Sequence, residues 1–270
     1  MLNALVGEKI ASVSNKPQTT RTRITGIKTI GDTQLVFMDT PGLHKPKNKL
    51  SEHMLNTVTE SVVDIDLLLF MMDCTRQMTS QEEAMLLDCK RRKRPLIVIL
   101  NKIDLLEDKT RLAGMMVGIQ NKFDPASIIP ISVTEQDGVD LVEQEVLSHA
   151  KESPHFFPDE LFTDQPEKVI AAEMVREQLL RMLDDEVPHG IAVMTESMTE
   201  REEQDILDIS VVIYCERESH KGIVIGKKGA MLKRVASAAR TSLEDFFRIR
   251  VNLQCWVKVK EDWRNREGLI

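Results

Sequence analysis

The sequence predicts an α/β domain with a parallel sheet, followed by a smaller α+β domain. Residues 66–72, 95–100 and 128–132 are apolar runs separated by helix-like segments, as expected of strands buried on both faces of a parallel sheet. Residues 250–260 instead alternate around a single apolar face, which is typical of a half-buried strand. Residues 153–166 contain three prolines among acidic side chains. We therefore predict a linker at 153–166, between a domain at 1–152 and a domain at 167–270.

The first domain begins with a helix over residues 1–5. Residues 34–38 are predicted to form a short strand. Ser80 and Glu83 have the spacing of a capping box, which predicts a helix from Ser80 to about residue 90. The basic run 90–94 has the composition of a nucleic-acid-binding or localisation signal, but we interpret it as the end of that helix, where cations complement the helix dipole. Residues 138–149 form the closing helix.

The second domain follows a different order of elements. We predict two helices, at 167–184 and 230–247, and three strands, at 190–196, 206–215 and 250–260. The first two strands are expected to pair antiparallel. In the last strand Val251 and every second residue after it face the core. Trp256 falls on the polar face of that strand, where it either stacks on a nucleic-acid base or packs under the final helix, and we favour packing.

The composition indicates a globular protein with a basic end. The chain has 270 residues, of which 42% are hydrophobic and 29% charged, and no apolar run approaches the ~20 residues needed to span a bilayer. The four cysteines lack metal-ligand spacing, so we interpret them as reduced thiols. The net charge is −7, yet residues 220–270 hold 12 Lys and Arg against 5 Asp and Glu. This asymmetry favours a polyanionic partner for that end alone.

The run Asp39-Thr40-Pro41-Gly42 follows the strand at 34–38. A carboxylate at a strand end can reach Mg²⁺, usually through water. Glycine lets a backbone N–H approach a γ-phosphate. By itself this run is an ordinary turn sequence.

A second motif makes the nucleotide interpretation strong. Asn101-Lys102-Ile103-Asp104 follows an apolar strand. The Asp104 carboxylate can accept hydrogen bonds from N1–H and the N2 amino group of guanine, a donor pair that adenine lacks.

Two weaker signals complete this set. Ser132-Val133-Thr134 also follows a strand, and its backbone N–H groups are expected to back the base, although Val replaces the Ala that is usual in GTPases. A threonine of the polar loop at 18–23, either Thr19 or Thr20, is expected to complete a Mg²⁺ shell together with Asp39.

The basic end contains a candidate nucleic-acid loop. Gly226-Lys227-Lys228-Gly229 lies between an apolar segment and a basic helix that carries Lys233 and Arg234. Such G-x-x-G loops clamp the backbone phosphates of about four nucleotides in KH domains. The position of the loop, within the basic stretch 220–270, favours RNA binding over an ordinary turn. Lys258, Lys260, Arg264 and Arg266 are additional candidates for phosphate contacts.

With these motifs and the run at residues 7–26, the sequence resembles the Era family of GTPases over essentially its whole length. The resemblance implies an α/β Ras-like P-loop GTPase domain, incomplete at its N-terminus, followed by an α+β type II KH domain. It also implies GTP/GDP and Mg²⁺ as ligands, GTP hydrolysis, and binding to small-subunit (16S-type) ribosomal RNA during assembly of the 30S-type subunit. A cytoplasmic monomer with peripheral contact to the inner face of the cell membrane is expected on the same basis.

The sequence departs from the general GTPase pattern in two places. A phosphate-binding G-x-x-x-x-G-K-[ST] loop should precede the first helix, but that helix starts at Met1. We hypothesise that Met1 is an internal methionine of a longer reading frame. Without the phosphate-binding loop, we expect this chain to bind GTP poorly or not at all, so its own GTPase activity is an open question. Leu43 stands where many GTPases carry a water-orienting Gln, so the water-positioning group is unknown. The alternative function is a non-enzymatic RNA-binding protein with a remnant GTPase domain.

Overall fold

The structure is a computed structural model. Its described residues form two compact units, each built from separate stretches of the chain. The first unit comprises residues 1–8, 26–38 and 58–162, and the second comprises residues 9–25, 39–57 and 163–270. The described residues are 1–14, 16, 19–42, 48–61, 65–184 and 186–265, without the side chains of residues 58–61 and 202.

The first unit is built on a parallel sheet. Its strands β3 (Leu68–Asp73), β4 (Leu96–Asn101) and β5 (Ser127–Ile131) pair in the order β3-β4-β5, which confirms the predicted parallel sheet. Residues 97–100 of the central strand are fully buried, because both faces of such a sheet are covered. The helices of this unit are α1 (Leu2–Val6), α3 (Ser80–Arg91), α4 (Thr110–Phe123) and α5 (Val139–Ser148).

A separate two-stranded sheet is formed by β1 (Ile24–Ile30) and β2 (Thr33–Asp39). The predicted linker is hydrogen-bonded to this hairpin. Gln34 Oε1 accepts from the N–H groups of Phe156 at 2.9 Å and Phe157 at 3.0 Å. The N–H of Ile27 donates to the Phe162 carbonyl at 2.9 Å. Residues 156–162 are therefore held against the hairpin, while the domain boundaries at 152 and 166 stay a prediction.

The capping box of α3 begins one residue earlier than predicted. Thr79, not Ser80, is the N-cap, and it exchanges hydrogen bonds with Glu82, not Glu83. Both pairs of residues have the spacing of a capping box, so the sequence pattern alone did not distinguish them. Glu82 also pairs with Arg76, at 2.6 Å and 2.9 Å. This third partner favours the earlier position.

The second unit is an α+β module. Its strands β6 (Ile191–Arg201), β7 (Ile206–Cys215) and β8 (Arg250–Val259) pair in the order β6-β7-β8. The pair β6–β7 is antiparallel, as predicted, and the pair β7–β8 is parallel. One face of the sheet packs on α6 (Glu167–Met182) and α8 (Ala230–Phe247). Helix α2 (Lys49–Ser61) contributes Leu50 and Met54 to a smaller cluster with Ala192 and Trp263.

Two expectations for the second unit need correction. The apolar segment before the G-x-x-G loop is helical and belongs to α7 (Glu218–Ile225), a helix that was not predicted. Trp256 does not pack under a helix, because 56% of its surface is exposed. Its place on the polar face of β8 is confirmed, and that face leaves the ring open to solvent. Trp263 is the buried tryptophan, with 1% exposure.

Candidate functional site

The Asn101–Asp104 run begins where the central strand of the parallel sheet ends. In the β4–β5 register Asn101 lies opposite Ile131, so the residues that follow the two strands emerge side by side. The Asn101 side-chain oxygen accepts a hydrogen bond from the N–H of Val133 at 3.2 Å. The structure thus brings the two predicted base-side segments, residues 101–104 and 132–134, into direct contact.

Asp104 lies on a short turn after this strand. Lys102 adopts the left-handed conformation, with φ 71° and ψ 36°, and a 3₁₀ turn spans Ile103–Leu105. The turn is closed by the N–H of Leu105, which donates to the Lys102 carbonyl at 3.1 Å. The Asp104 side chain is exposed. Its carboxylate is therefore open to a ligand that offers paired N–H donors.

The loop that follows β5 is closed on itself. Buried Ser132 exchanges backbone hydrogen bonds with Asp137, at 2.9 Å and 3.0 Å, and its hydroxyl accepts from the N–H of Glu135. Gly138 has a positive φ of 75°, and a Cβ atom there would lie 2.9 Å from the Pro130 carbonyl oxygen. Glycine is needed at that position. The closed loop leaves Thr134 exposed.

Sequence reasoning missed one acidic residue beside Lys102. The Lys102 ammonium lies 2.7 Å from Oδ2 of Asp73, the last residue of β3. Burial opposes ionisation of Asp73, but hydrogen bonds from Lys102 and Thr75 outweigh it and lower its pKa to about 2. The signal was present in the sequence, because Asp73 ends an apolar strand just as Asp39 does.

Asp39 and a threonine of the loop at 19–23 lie together in the second unit. The hydroxyl of Thr20 donates to Oδ2 of Asp39 at 3.2 Å. The hydroxyl of Thr19 is directed elsewhere and donates to the Lys16 carbonyl at 2.7 Å. Of the two threonines left open by the sequence, the structure places Thr20 next to Asp39.

The donor set at Asp39 fits a hard divalent cation. Carboxylate and hydroxyl oxygens are the ligands that Mg²⁺ prefers. Burial raises the pKa of Asp39, and a bound cation would stabilise the ionised form of this carboxylate. Thr40, buried Pro41 and exposed Gly42 follow it directly. Leu43 lies outside the described residues.

The loop that carries Thr19 is attached to helix α6. Arg176 donates to the Thr19 carbonyl and, through Nε, to Oε1 of Glu173 at 2.8 Å. Burial opposes ionisation of Glu173, yet Arg176 keeps the pKa of that carboxyl below its usual value. The hydroxyl of Ser12 donates to Glu173 as well. These partners explain how charged residues of α6 are buried.

Arg21 forms a second attachment of the same loop. Its guanidinium is buried and donates to the carbonyls of Ile191 at 2.6 Å and His189 at 3.1 Å. It also lies over the Trp263 ring, 5.4 Å from the centroid. The indole N–H of Trp263 donates to the Gly190 carbonyl at 3.0 Å. The loop is therefore bound to the start of β6, a contact that sequence analysis did not predict.

The G-x-x-G loop connects α7 to α8 and depends on its glycines. Gly226 has φ 72°, and a Cβ atom there would lie 2.7 Å from Cβ of Met231. Gly229 also has a positive φ, of 79°. Lys227 and Lys228 lie on the turn between them and are exposed.

The cations around this loop are available to a polyanion. Lys227, Lys228, Lys233 and Arg234 are all exposed. Within the residues that the structure describes, these four side chains form no ion pair with a carboxylate. By contrast, Lys258 pairs with Glu196, and Arg264 with Glu216, each at 3.1 Å. These pairs make Lys258 and Arg264 weaker candidates for phosphate contacts, and Arg266 lies outside the described residues.

Comparisons with known proteins match the Asp39 run and the G-x-x-G loop to two different families of domains. A model of the "KH domain" family matches residues 186–264, and a model described as "50S ribosome-binding GTPase" matches residues 1–102. GTPase Era of Ruminiclostridium cellulolyticum is 47% identical over 270 residues, which cover all of this chain and 90% of that protein. The chain belongs to the Era GTPase family. The Clostridioides difficile member is 44% identical over the same length and is covered to 91%.

Solved structures of the Era family share the fold. Era in complex with MgGDPNP and nucleotides 1506–1542 of 16S ribosomal RNA superposes with a TM-score of 0.94 at 34% identity. The match covers 99% of this chain and 91% of that one. A point variant of Aquifex aeolicus Era bound to GDP·AlF4⁻ matches with the same TM-score, identity and coverage. The predicted fold, a Ras-like GTPase domain followed by a KH domain, is confirmed.

No described helix is long and apolar enough to cross a membrane. No group of three or more His, Cys, Asp or Glu side chains among the described residues is arranged to hold a metal ion.

Proposed function

We propose that this chain is a GTP-binding and GTP-hydrolysing switch that binds small-subunit ribosomal RNA and assists assembly of the small ribosomal subunit. The observation that carries the proposal is the match, over 99% of this chain, to Era bound to both MgGDPNP and 16S ribosomal RNA. The residues proposed to read guanine, to face Mg²⁺ and to contact RNA are present in this chain, whereas its sequence contains no G-x-x-x-x-G-K-[ST] loop for the phosphates.

In the proposed complex, guanine is read by residues 101–104 and 132–134. The exposed Asp104 carboxylate accepts hydrogen bonds from N1–H and the N2 amino group of the base. Asn101 fixes the opposite segment through its bond to the N–H of Val133. Ser132 keeps that loop closed. Adenine cannot satisfy Asp104, so the carboxylate selects the base.

Asp39 and Thr20 form a proposed Mg²⁺ site, and Gly42 lets the backbone approach a phosphate closely. When bound, Mg²⁺ neutralises charge on the phosphate oxygens. Asp39 supplies the carboxylate and Thr20 the hydroxyl, and the 3.2 Å bond between them holds both oxygens at one place. The residue that positions the attacking water is not assigned.

RNA is proposed to bind at the G-x-x-G loop. Gly226 and Gly229 allow the phosphate backbone to approach closely, and the exposed ammonium groups of Lys227 and Lys228 neutralise it. Lys233 and Arg234 extend the cationic surface along α8. Nucleotide-dependent RNA binding is supported by the attachment of the Thr19–Arg21 loop to the module that carries this surface.

A base-exchange experiment tests the nucleotide assignment. Asp104→Asn replaces an acceptor pair with an acceptor and a donor, which suits xanthine better than guanine. We expect GDP affinity to fall about 100-fold, equivalent to about 3 kcal/mol, and XDP affinity to rise. Fluorescent nucleotide titrations of both chains measure the change. An equal loss of affinity for GDP and for XDP would refute the role of Asp104 in base selection.

The same titration distinguishes the switch from the alternative. It is run on this chain and on a chain extended by the residues encoded upstream of Met1. Guanine-specific binding by either chain supports the switch. Its absence from both would support a non-enzymatic RNA-binding protein.

An RNA titration tests the loop at 226–229. Lys227→Asp combined with Lys228→Asp should weaken binding to a 16S 3′-end RNA and reduce the salt dependence, since each phosphate contact on a single strand contributes a slope of about 0.7. Nucleotide affinity should not change. A 23S fragment is the control, because the GTPase family model names the 50S subunit. Unchanged 16S affinity would refute the assignment.

We further propose a monomer in the cytoplasm, with peripheral contact to the inner face of the cell membrane. Family membership supports both parts. Membrane fractionation with and without high salt tests the second part, because a peripheral contact is released by salt and an integral one is not.

A further inference from the structure

Asp73 lies beside the base-side motif, and its two carboxylate oxygens have different partners. Oδ1 accepts from the N–H of Thr75 at 2.9 Å and from the Thr75 hydroxyl at 2.6 Å. Oδ2 accepts from the ammonium of Lys102 at 2.7 Å. One oxygen thus fixes the carboxylate to its own turn, and the other is directed at the lysine of the Asn101–Asp104 run.

The backbone around Asp73 holds this arrangement in place. Asp73 is paired with Asn101 in the parallel β3–β4 register. The next N–H along the chain, that of Cys74, donates to the Asn101 carbonyl at 3.0 Å. Arg76 donates its N–H to the Asp73 carbonyl and pairs with Glu82 at the start of α3. The segment that carries Asp73 is therefore hydrogen-bonded on both sides.

Lys102 needs such support. It has a positive φ of 71°, a conformation that costs a residue with a Cβ atom about 1 kcal/mol. The 3₁₀ turn that presents Asp104 starts from this residue. A constraint on the Lys102 side chain therefore constrains the direction in which the Asp104 carboxylate points.

We propose that Asp73 is a positioning residue for guanine recognition. It holds Lys102 in its left-handed conformation and thereby aims Asp104 at the base. This role rests on the proposed function, since it concerns the same base site. Asp73 does not itself contact the nucleotide in this proposal.

The first test is a comparison of guanine and adenine nucleotides. Asp73→Asn keeps the shape of the side chain but removes its charge. The 270-residue chain and this variant are titrated with fluorescent GDP and ADP. We expect GDP affinity to fall three- to tenfold and ADP affinity to remain the same, so that the GDP/ADP ratio falls. A purely structural loss would lower both affinities together, and an unchanged or higher GDP affinity would overturn the proposal.

Matched variants test whether the loss of affinity is specific to the Asp73 carboxylate and whether Thr75 anchors that carboxylate. Asp66→Asn removes an exposed carboxylate that pairs with Lys151 in the same unit, at 2.6 Å, and should change no affinity. Thr75→Val removes the hydroxyl that anchors Asp73 and should reproduce part of the Asp73→Asn loss, whereas Thr75→Ser should retain wild-type affinity. Equal behaviour of the two Thr75 variants would contradict the anchoring role.

A second measurement tests the proposal without any bound nucleotide, so it applies even if the chain binds none. Hydrogen exchange of the Leu105 amide reports the turn, because this N–H donates to Lys102. We expect exchange of peptides covering residues 102–107 to accelerate several-fold in Asp73→Asn and in Lys102→Met. The double variant should exchange no faster than Lys102→Met alone. The positioning role would be overturned if the exchange rate in Asp73→Asn were unchanged. It would also be overturned if the acceleration in the double variant equalled the product of the two single-variant accelerations. Neither outcome depends on the proposed function.

Discussion

Removal of the Arg21 guanidinium should release the loop that carries Thr19 and Thr20 from the start of β6, within the second unit. Arg21→Ala removes the donor to the buried carbonyl of Ile191 and the partly buried carbonyl of His189, and it removes the cation from the Trp263 ring. Each lost hydrogen bond to a buried acceptor costs about 1–3 kcal/mol, and the cation–π contact about 1 kcal/mol.

Desolvation of the guanidinium offsets part of this loss. Burial and the neighbouring Arg176 lower the pKa of Arg21 to about 9, which shows that the charged form is held at a cost. We therefore expect Arg21→Ala to lower the free energy of unfolding of the second unit by about 2–4 kcal/mol. Arg21→Met, which fills the site without a charge, should cost less.

Tryptophan fluorescence during denaturant unfolding measures this change. Trp256 is exposed and Trp263 is buried, so a Trp256→Phe background leaves Trp263 as the reporter. Arg23→Ala in the same loop is the control, because Arg23 is exposed. If the free energy of unfolding of Arg21→Ala lies within about 0.5 kcal/mol of that of the Trp256→Phe background, Arg21 does not stabilise the unit and the reasoning is refuted.

Three further predictions follow from local geometry. Thr79→Ala should destabilise the first unit by about 1 kcal/mol while Ser80→Ala has little effect, as measured by urea unfolding; the reverse order would restore the sequence-based capping box. Gly226→Ala should distort the loop and reduce RNA affinity, whereas Gly222→Ala, with open space at its Cβ, should not; equal affinities would argue against a glycine requirement. Burial raises the pKa of Asp39, so the folded state binds more protons and gains stability as pH falls through that pKa. Asp39→Asn should therefore raise the melting temperature at pH 7 without Mg²⁺ and abolish any increase that Mg²⁺ produces, and a lower melting temperature would contradict this.

The elements that the sequence predicted well depend on short-range patterns. The apolar run of β4 and the alternation in β8 reflect burial on two faces and on one face, which hydrophobicity reports directly. Helix α7 was missed because the glycine at 222 and the β-branched residues around it have low helix propensity. Packing of fully buried Val224 in the core overrides that propensity.

The sequence by itself determined the base-side motif at residues 101–104, the Asp39 run and the basic G-x-x-G loop, because each is contiguous and chemically distinctive. Only the tertiary structure decided that Thr20, rather than Thr19, reaches Asp39, and that Asp73 holds Lys102. It also decided that Arg21 is bound to the start of β6, 170 residues further along the chain. Hydrogen-bond partners at such separations are selected by packing and by the need to satisfy buried polar groups, and a linear pattern carries no record of that selection.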